Sequence, residues 1–118
     1  MAKVLGLGGV FYKADDPQAM RAWYADVLGF ELTAWGGASF SPPASSSQQW
    51  SLFPADTAYF APSAHPFMVN LIVDDMAGIL ERARDAGAEI LSQQDEPYGK
   101  FAWLMDPAGV KVELWQPL

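Results

Sequence analysis

The chain has 118 residues, no cysteine, one histidine, and 14 acidic against seven basic side chains, giving a formal charge of −7 at neutral pH. That length suits one domain with a core of its own, residues 1–118, and the absence of thiols excludes disulfide scaffolds, thiolate zinc sites and cysteine nucleophiles. An acidic chain with no Lys or Arg cluster is repelled by phosphate backbones and anionic lipid, which argues against nucleic-acid and membrane partners.

In chain order, Val4 to Lys13 predicts a strand rich in β-branched and aromatic residues, diluted by Gly6, Gly8 and Gly9. Asp16-Pro17 then predicts a helix start, with Asp as N-cap and Pro at the first helical position. Met20, Trp23, Tyr24, Val27 and Leu28 recur at spacings of three and four, so the helix is expected over Pro17 to Leu28, with Gly29 as its stop. Phe30 to Trp35 and Ala38 to Phe40 predict two strands around a Gly36-Gly37 turn, and Trp50 to Phe53 a fourth. The Pro- and Ser-rich stretch Ser41 to Gln49 predicts a loop, and Pro54 to Pro66 a linker. The longest uncharged stretch, from about Leu32 to Pro54, is too interrupted by Gly, Pro, Ser and Gln to span a bilayer, and no apolar signal segment opens the chain. The expected location is cytoplasmic.

The second half predicts a strand over Phe67 to Val73, a helix over Met76 to Ala86 stopped by Gly87, and strands over Ala88 to Leu91, Phe101 to Met105 and Val110 to Trp115. Asp106-Pro107-Ala108-Gly109 has the composition of a type I turn joining the last two. Each half therefore reads strand, Asp-Asp, amphipathic helix, Gly, three strands, with the halves (about 4–55 and 66–116) about 59 residues apart. The expected fold class is α+β, two βαβββ repeats forming a curved mixed sheet with helices on one face and a cup on the other.

This order resembles the vicinal oxygen chelate superfamily, which includes glyoxalase I, bleomycin-resistance proteins and extradiol dioxygenases. The resemblance rests on Asp16-Pro17 leading to Trp23-Tyr24-Ala25-Asp26-Val27-Leu28-Gly29-Phe30. It rests also on Val73-Asp74-Asp75 with the Ala-Gly-Ala turn at residues 86–88, and on Asp106-Pro107-Ala108-Gly109-Val110-Lys111-Val112-Glu113-Leu114. It implies a metal held in the cup by a His, Gln or Glu on the first strand, one or two more ligands from the middle strands, and a Glu on the last. In this chain the first-strand position falls at Gly9, which has no side chain, and its counterpart falls near Met68, whose thioether is a poor ligand for hard divalent ions. Glu113 alone matches, so no metal ligand set is expected. A divalent metal would need ligands from another strand, a partner chain or His65.

Strand alternation assigns Gly9, Phe11 and Lys13 to the cup, with Val10 and Tyr12 toward the helices. It assigns Met68, Asn70 and Ile72 to the cup against Val69, Leu71 and Val73 inside, then adds Trp103 and Met105, and Lys111, Glu113 and Trp115 with Val112 and Leu114 inside. The expected ligand-binding set is thus Phe11, Lys13, Met68, Asn70, Ile72, Trp103, Met105 and Trp115. Glu113 reads either as a general base or anchor for a ligand's amine or hydroxyl, or as a structural carboxylate paired with Lys13 or Lys111. Asn70 either orients a ligand or satisfies a strand neighbour. His65 is expected exposed in the linker, Glu96, Tyr98 and Lys100 in a loop that caps the cup or is simply solvated, and the Asp-Asp pairs as helix caps.

Five Trp, seven Phe and four Tyr are many for so small a domain, and some are expected to line a cavity. Three functions are compatible with these residues: a metal-free binder of a small apolar or aromatic molecule, a metal-dependent lyase, isomerase or dioxygenase, and a non-catalytic interaction protein. A homodimer is expected under all three, because two curved sheets protect each other's edges.

Overall fold

The computed structural model describes residues 2–118. Two helices, α1 (Pro17–Leu28) and α2 (Met76–Asp85), accompany four strands, β1 (Val69–Ile72), β2 (Ile90–Glu96), β3 (Gly99–Met105) and β4 (Lys111–Pro117). The strands form one mixed sheet in the order β1-β4-β3-β2, with β1 parallel to β4 and the other pairs antiparallel. This is the βαβββ unit expected of the second half.

Both helices begin where the Asp residues place them. Asp16 Oδ1 accepts from the Ala19 amide and Asp75 Oδ1 from the Gly78 amide, each at 3.1 Å, so both carboxylates serve as caps. Gly29 ends α1 at φ 73° and Gly87, just past α2, has φ 76°; a side chain at either would be strained. The helices bury Met20, Tyr24, Val27, Leu28, Met76, Leu80 and Ala83 against Ala102, Leu104, Val112 and Leu114 of β3 and β4. The odd-numbered residues of those two strands therefore point to the sheet's other face.

Strand β2 extends to Glu96, beyond the expected Leu91, and residues 92–96 are strand rather than loop. A register shift between Ile90 and Ser92 accounts for its facing: Ile90 pairs with Leu104 on the core side, whereas Ser92 pairs with Trp103 on the opposite face. One extra residue, Leu91, turns the rest of the strand over. Ser92, Gln94 and Glu96 consequently share a face with Trp103, Phe101 and Gly99.

The first half departs from expectation. Around the Gly36 turn a single bridge joins Leu32 to Ala38, and the segments 4–13, 30–35 and 50–53 carry no ladder. Segments 4–7 and 48–50 do lie together, with the Leu7 amide donating to Gln48 Oε1 at 2.7 Å. Three glycines in the first segment and a Pro/Ser-rich loop before the last weaken pairing, since Gly raises the entropic cost of extension and adds no cross-strand side chain. Val4, Leu5, Val10, Phe11, Trp50 and Leu52 are exposed as a result, and Val10 does not join the core.

What ties the halves together is Asp106. Its Oδ1 accepts from the Ala108 and Val110 amides at 2.9 Å each, shaping the β3–β4 turn, and its Oδ2 accepts from the Tyr24 hydroxyl of α1 at 2.7 Å. Tyr12 donates to the Tyr24 oxygen at 3.0 Å, on the helix side as its register predicts. The linker reaches the same turn, with Ser63 Oγ donating to Gly109 O at 2.5 Å and the exposed His65 placing Nε2 2.9 Å from Ala108 O.

Candidate functional site

The pairing registers lay out the sheet face away from the helices as rows. Asn70, Glu113, Trp103 and Ser92 form one row across β1, β4, β3 and β2; Ile72, Trp115, Phe101 and Gln94 form the next. Lys111 and Met105 pair beyond the first row, and Gly99 and Glu96 beyond the second. Among the expected lining residues, Asn70, Ile72, Trp103, Met105 and Trp115 thus share this face with Glu113. Met68 is half-buried just before β1. Phe11, 91% exposed with its ring folded over Gly9, and the exposed Lys13 lie outside these rows, because the segment that carries them is not part of the sheet.

Glu113 is buried among three neutral donors. Its Oε2 accepts from the Tyr59 hydroxyl at 2.5 Å and from Trp103 Nε1 at 3.0 Å, and its Oε1 accepts from Asn70 Nδ2 at 2.8 Å. Three hydrogen bonds satisfy a carboxylate that would otherwise be costly to bury. The alternative pairing with a lysine is not what forms: Lys111 Nζ donates to the backbone oxygen of Tyr59 at 2.6 Å, 5.2 Å from the centre of its ring. Burial, then the hydrogen bond to Glu113, pushes the Tyr59 hydroxyl up to about 12, so it stays a donor at physiological pH.

Tyr59 belongs to the linker and was not anticipated. Its ring stacks on Phe53 at 5.5 Å and 12°, meets Phe60, and stands edge-on to Trp103 at 6.5 Å. The linker therefore covers the Glu113 end of the sheet face and leaves the β2–β3 end open. There, Phe101 lies between Trp103 (6.2 Å, 15°) and Trp115 (6.4 Å, 8°), three near-parallel rings in a row, with Tyr98 of the β2–β3 turn edge-on to Phe101 at 5.9 Å. Beside them is an open cavity of about 390 Å³ lined by Tyr59, Ser92, Gln94, Glu96, Tyr98, Phe101 and Trp103. Trp115 Nε1 is the buried side-chain polar atom without a hydrogen-bond partner among the described residues.

The donor set does not suit the divalent metal that the fold implies. Among the described residues no group of three or more His, Asp or Glu side chains is placed to hold an ion. Glu113 spends both oxygens on neutral donors, and His65 is held at the β3–β4 turn by Ala108 O. Gly9 and Met68 offer no hard donor.

A family profile described as "Glyoxalase-like domain" matches residues 9–115. The fold is similar to that of a protein from the mobile metagenome of V. Pseudocholerae (VPC_CASS1), with TM-score 0.64, 15% identity, and 98% of this chain and 97% of that chain covered. It is also similar to the fosfomycin resistance protein FosX from Listeria monocytogenes (TM-score 0.63, 11% identity, coverage 98% and 96%). A third similar structure is TnmS3, described as an antibiotic binding protein from Streptomyces sp. CB03234 (TM-score 0.55, 21% identity, coverage 88% of each chain). No curated protein sequence matches the chain.

Proposed function

The chain belongs to the glyoxalase-like domain family, and on that premise we propose that it binds a small planar aromatic or apolar molecule on the open sheet face, without using a metal. The observation that carries this reading is the row of near-parallel rings Trp103, Phe101 and Trp115 beside a cavity bordered by Tyr59 and Tyr98. A flat ring laid against such a row gains dispersion and quadrupole attraction and removes apolar surface from water. The polar groups nearby, Ser92 and Gln94, are suited to orient a ligand rather than to transform it. Similarity to a protein described as antibiotic-binding and to a resistance protein agrees with a sequestering role.

Calorimetric titration with acridine, at a pH where it is uncharged, tests the proposal. One molecule is expected to bind per chain, with affinity unchanged by EDTA. Phe101→Ala is expected to weaken binding about tenfold, the scale of a lost aromatic stack. Absence of binding by acridine and equally by its N-methylated cation would overturn the reading; loss of binding on chelation would instead favour a metalloenzyme.

We also propose that two copies associate. Val4, Leu5, Phe11, Trp50 and Leu52 are too many exposed apolar side chains for a stable monomer surface, and β1 and β2 each leave an edge unpaired. Sedimentation equilibrium is expected to give twice the chain mass; a monomer at all concentrations would refute it.

A further inference from the structure

The charge facing the cavity says more about the ligand. Of the seven side chains that line it, Glu96 alone carries a formal charge. Gln94 Nε2 donates to its Oε1, which holds the carboxylate on the cavity side and leaves Oε2 for another donor or cation. Its position follows from the register: Glu96 pairs with Gly99, two residues from Phe101, so its backbone stands about one strand repeat, roughly 7 Å, beyond the row of Phe101, and the hydrogen bond from Gln94 turns the carboxylate back toward that row. A planar ring laid on Phe101 and Trp103 would reach it.

Lys111 is the lysine on this face, and it does not pair with that carboxylate. Lys111 stands at the far end of β4 and is engaged by the Tyr59 backbone oxygen. Lys100 pairs across the strands with Asp95 and Gln116, which places it on the opposite face from Phe101. Glu113 adds negative charge below Tyr59, and the whole chain carries −7. The half-buried Phe101, the exposed Tyr98 and the margin of the buried Trp103 border the cavity, and the negative lobes of aromatic quadrupoles attract cations. A neutral ring bound here would partly desolvate Glu96 without compensation, and an anionic one would meet it directly.

Resting on the ring-stacking reading above, we propose that the ligand class is a planar aromatic cation, stacked on Phe101 and Trp103 with its charge toward Glu96. An isosteric series tests it by calorimetry: N-methylacridinium with fixed positive charge, acridine uncharged, and anthracene carboxylate with negative charge. N-methylacridinium is expected to bind about tenfold more tightly than acridine at low ionic strength, the anion more weakly than either, and the cation's advantage to shrink as salt is added. In Glu96→Gln, whose fold is checked by circular dichroism, the ratio between cation and neutral ring is expected to fall toward one. Equal or tighter binding of acridine, or a ratio unchanged in Glu96→Gln, would overturn the assignment of charge while leaving the stacking site intact. Failure of all three compounds to bind would overturn the stacking reading and this inference with it.

Discussion

The hydroxyl of Tyr59, in the linker between the two halves, donates to Oε2 of Glu113 in β4 at 2.5 Å across 54 residues of sequence. The contact closes one end of the sheet face and decides what Glu113 does. With Asn70 and Trp103 supplying the other two hydrogen bonds, the carboxylate acts as an acceptor hub that joins linker, β1, β3 and β4.

That role makes a distinction between two substitutions. Glu113→Gln keeps an oxygen for Tyr59 and Trp103, and Asn70 can rotate its amide to accept from the new NH2, so a cost of about 1 kcal/mol or less is expected. Glu113→Leu leaves the buried Trp103 Nε1 without an acceptor, while the exposed Tyr59 and Asn70 can turn to water, and should cost about 1–3 kcal/mol. Urea unfolding of both variants checks this. Equal costs would mean that the hydrogen bonds contribute little, and that Glu113 is held for another purpose.

Asp106 makes the corresponding connection between α1 and the β3–β4 turn. Tyr24→Phe removes the hydroxyl that donates to its buried Oδ2 while preserving the ring's contacts with Trp23 and Phe30. About 1–2 kcal/mol of destabilisation is expected, because the two backbone amides at Oδ1 remain. The readout is the midpoint of chemical unfolding at neutral pH.

High pH should expose the same tyrosines. Burial raises the Tyr12 hydroxyl against the opposing effect of its hydrogen bond to Tyr24, and burial followed by hydrogen bonding raises that of Tyr24 and takes that of Tyr59 up to about 12. An unfolded tyrosine ionises near its ordinary value of 10, while these three stay protonated in the folded chain. The folded state then binds more protons than the unfolded one, so stability is fully retained below pH 10 and falls as pH rises from there through the folded values. Thermal unfolding followed from neutral pH upward should show a flat region and then a decline beginning near pH 10. Tyr24→Phe is expected to blunt the decline.

The second half was legible because its signals agree. Asp caps, glycine stops, the Asp106-Pro107-Ala108-Gly109 turn and the alternation of Lys111, Val112, Glu113 and Leu114 in β4 all specify one register, which put Trp103, Glu113 and Trp115 on the face where they stand. Strand β2 was legible only at Ile90 and Leu91, since Ser92, Gln93, Gln94, Asp95 and Glu96 are poor strand formers and become a strand by pairing with β3. The bulge at Leu91 then reverses their facing, which no period-two pattern reveals. Phe101 shares its parity with Trp103 and was within reach of the alternation that assigned Trp103. Tyr59 was not: its partner is 54 residues away, and nothing local marks it. In the first half the apolar letters suggested strands, but alternation sorts side chains only where a ladder exists, and Phe11 and Lys13 have none.

Gly99 offers a way to move the aromatic row without removing a ring. A Cβ on Gly99 would stand 2.6 Å from Trp115 Nε1 and 3.1 Å from the backbone oxygen of Gln116, so Gly99→Ala must displace the indole, the more mobile of the two. Trp115 is stacked on Phe101, and its displacement should open the row at that end while the Trp103 stack and the Glu113 hydrogen bonds persist. A loss of about 1–2 kcal/mol in stability is expected from the crowding. Trp115 fluorescence, isolated by comparison with Trp115→Phe, should shift to the red as the indole gains solvent. Acridine should bind several-fold more weakly to Gly99→Ala than to the parent chain if the whole row forms the platform; unchanged affinity would confine the platform to Phe101 and Trp103.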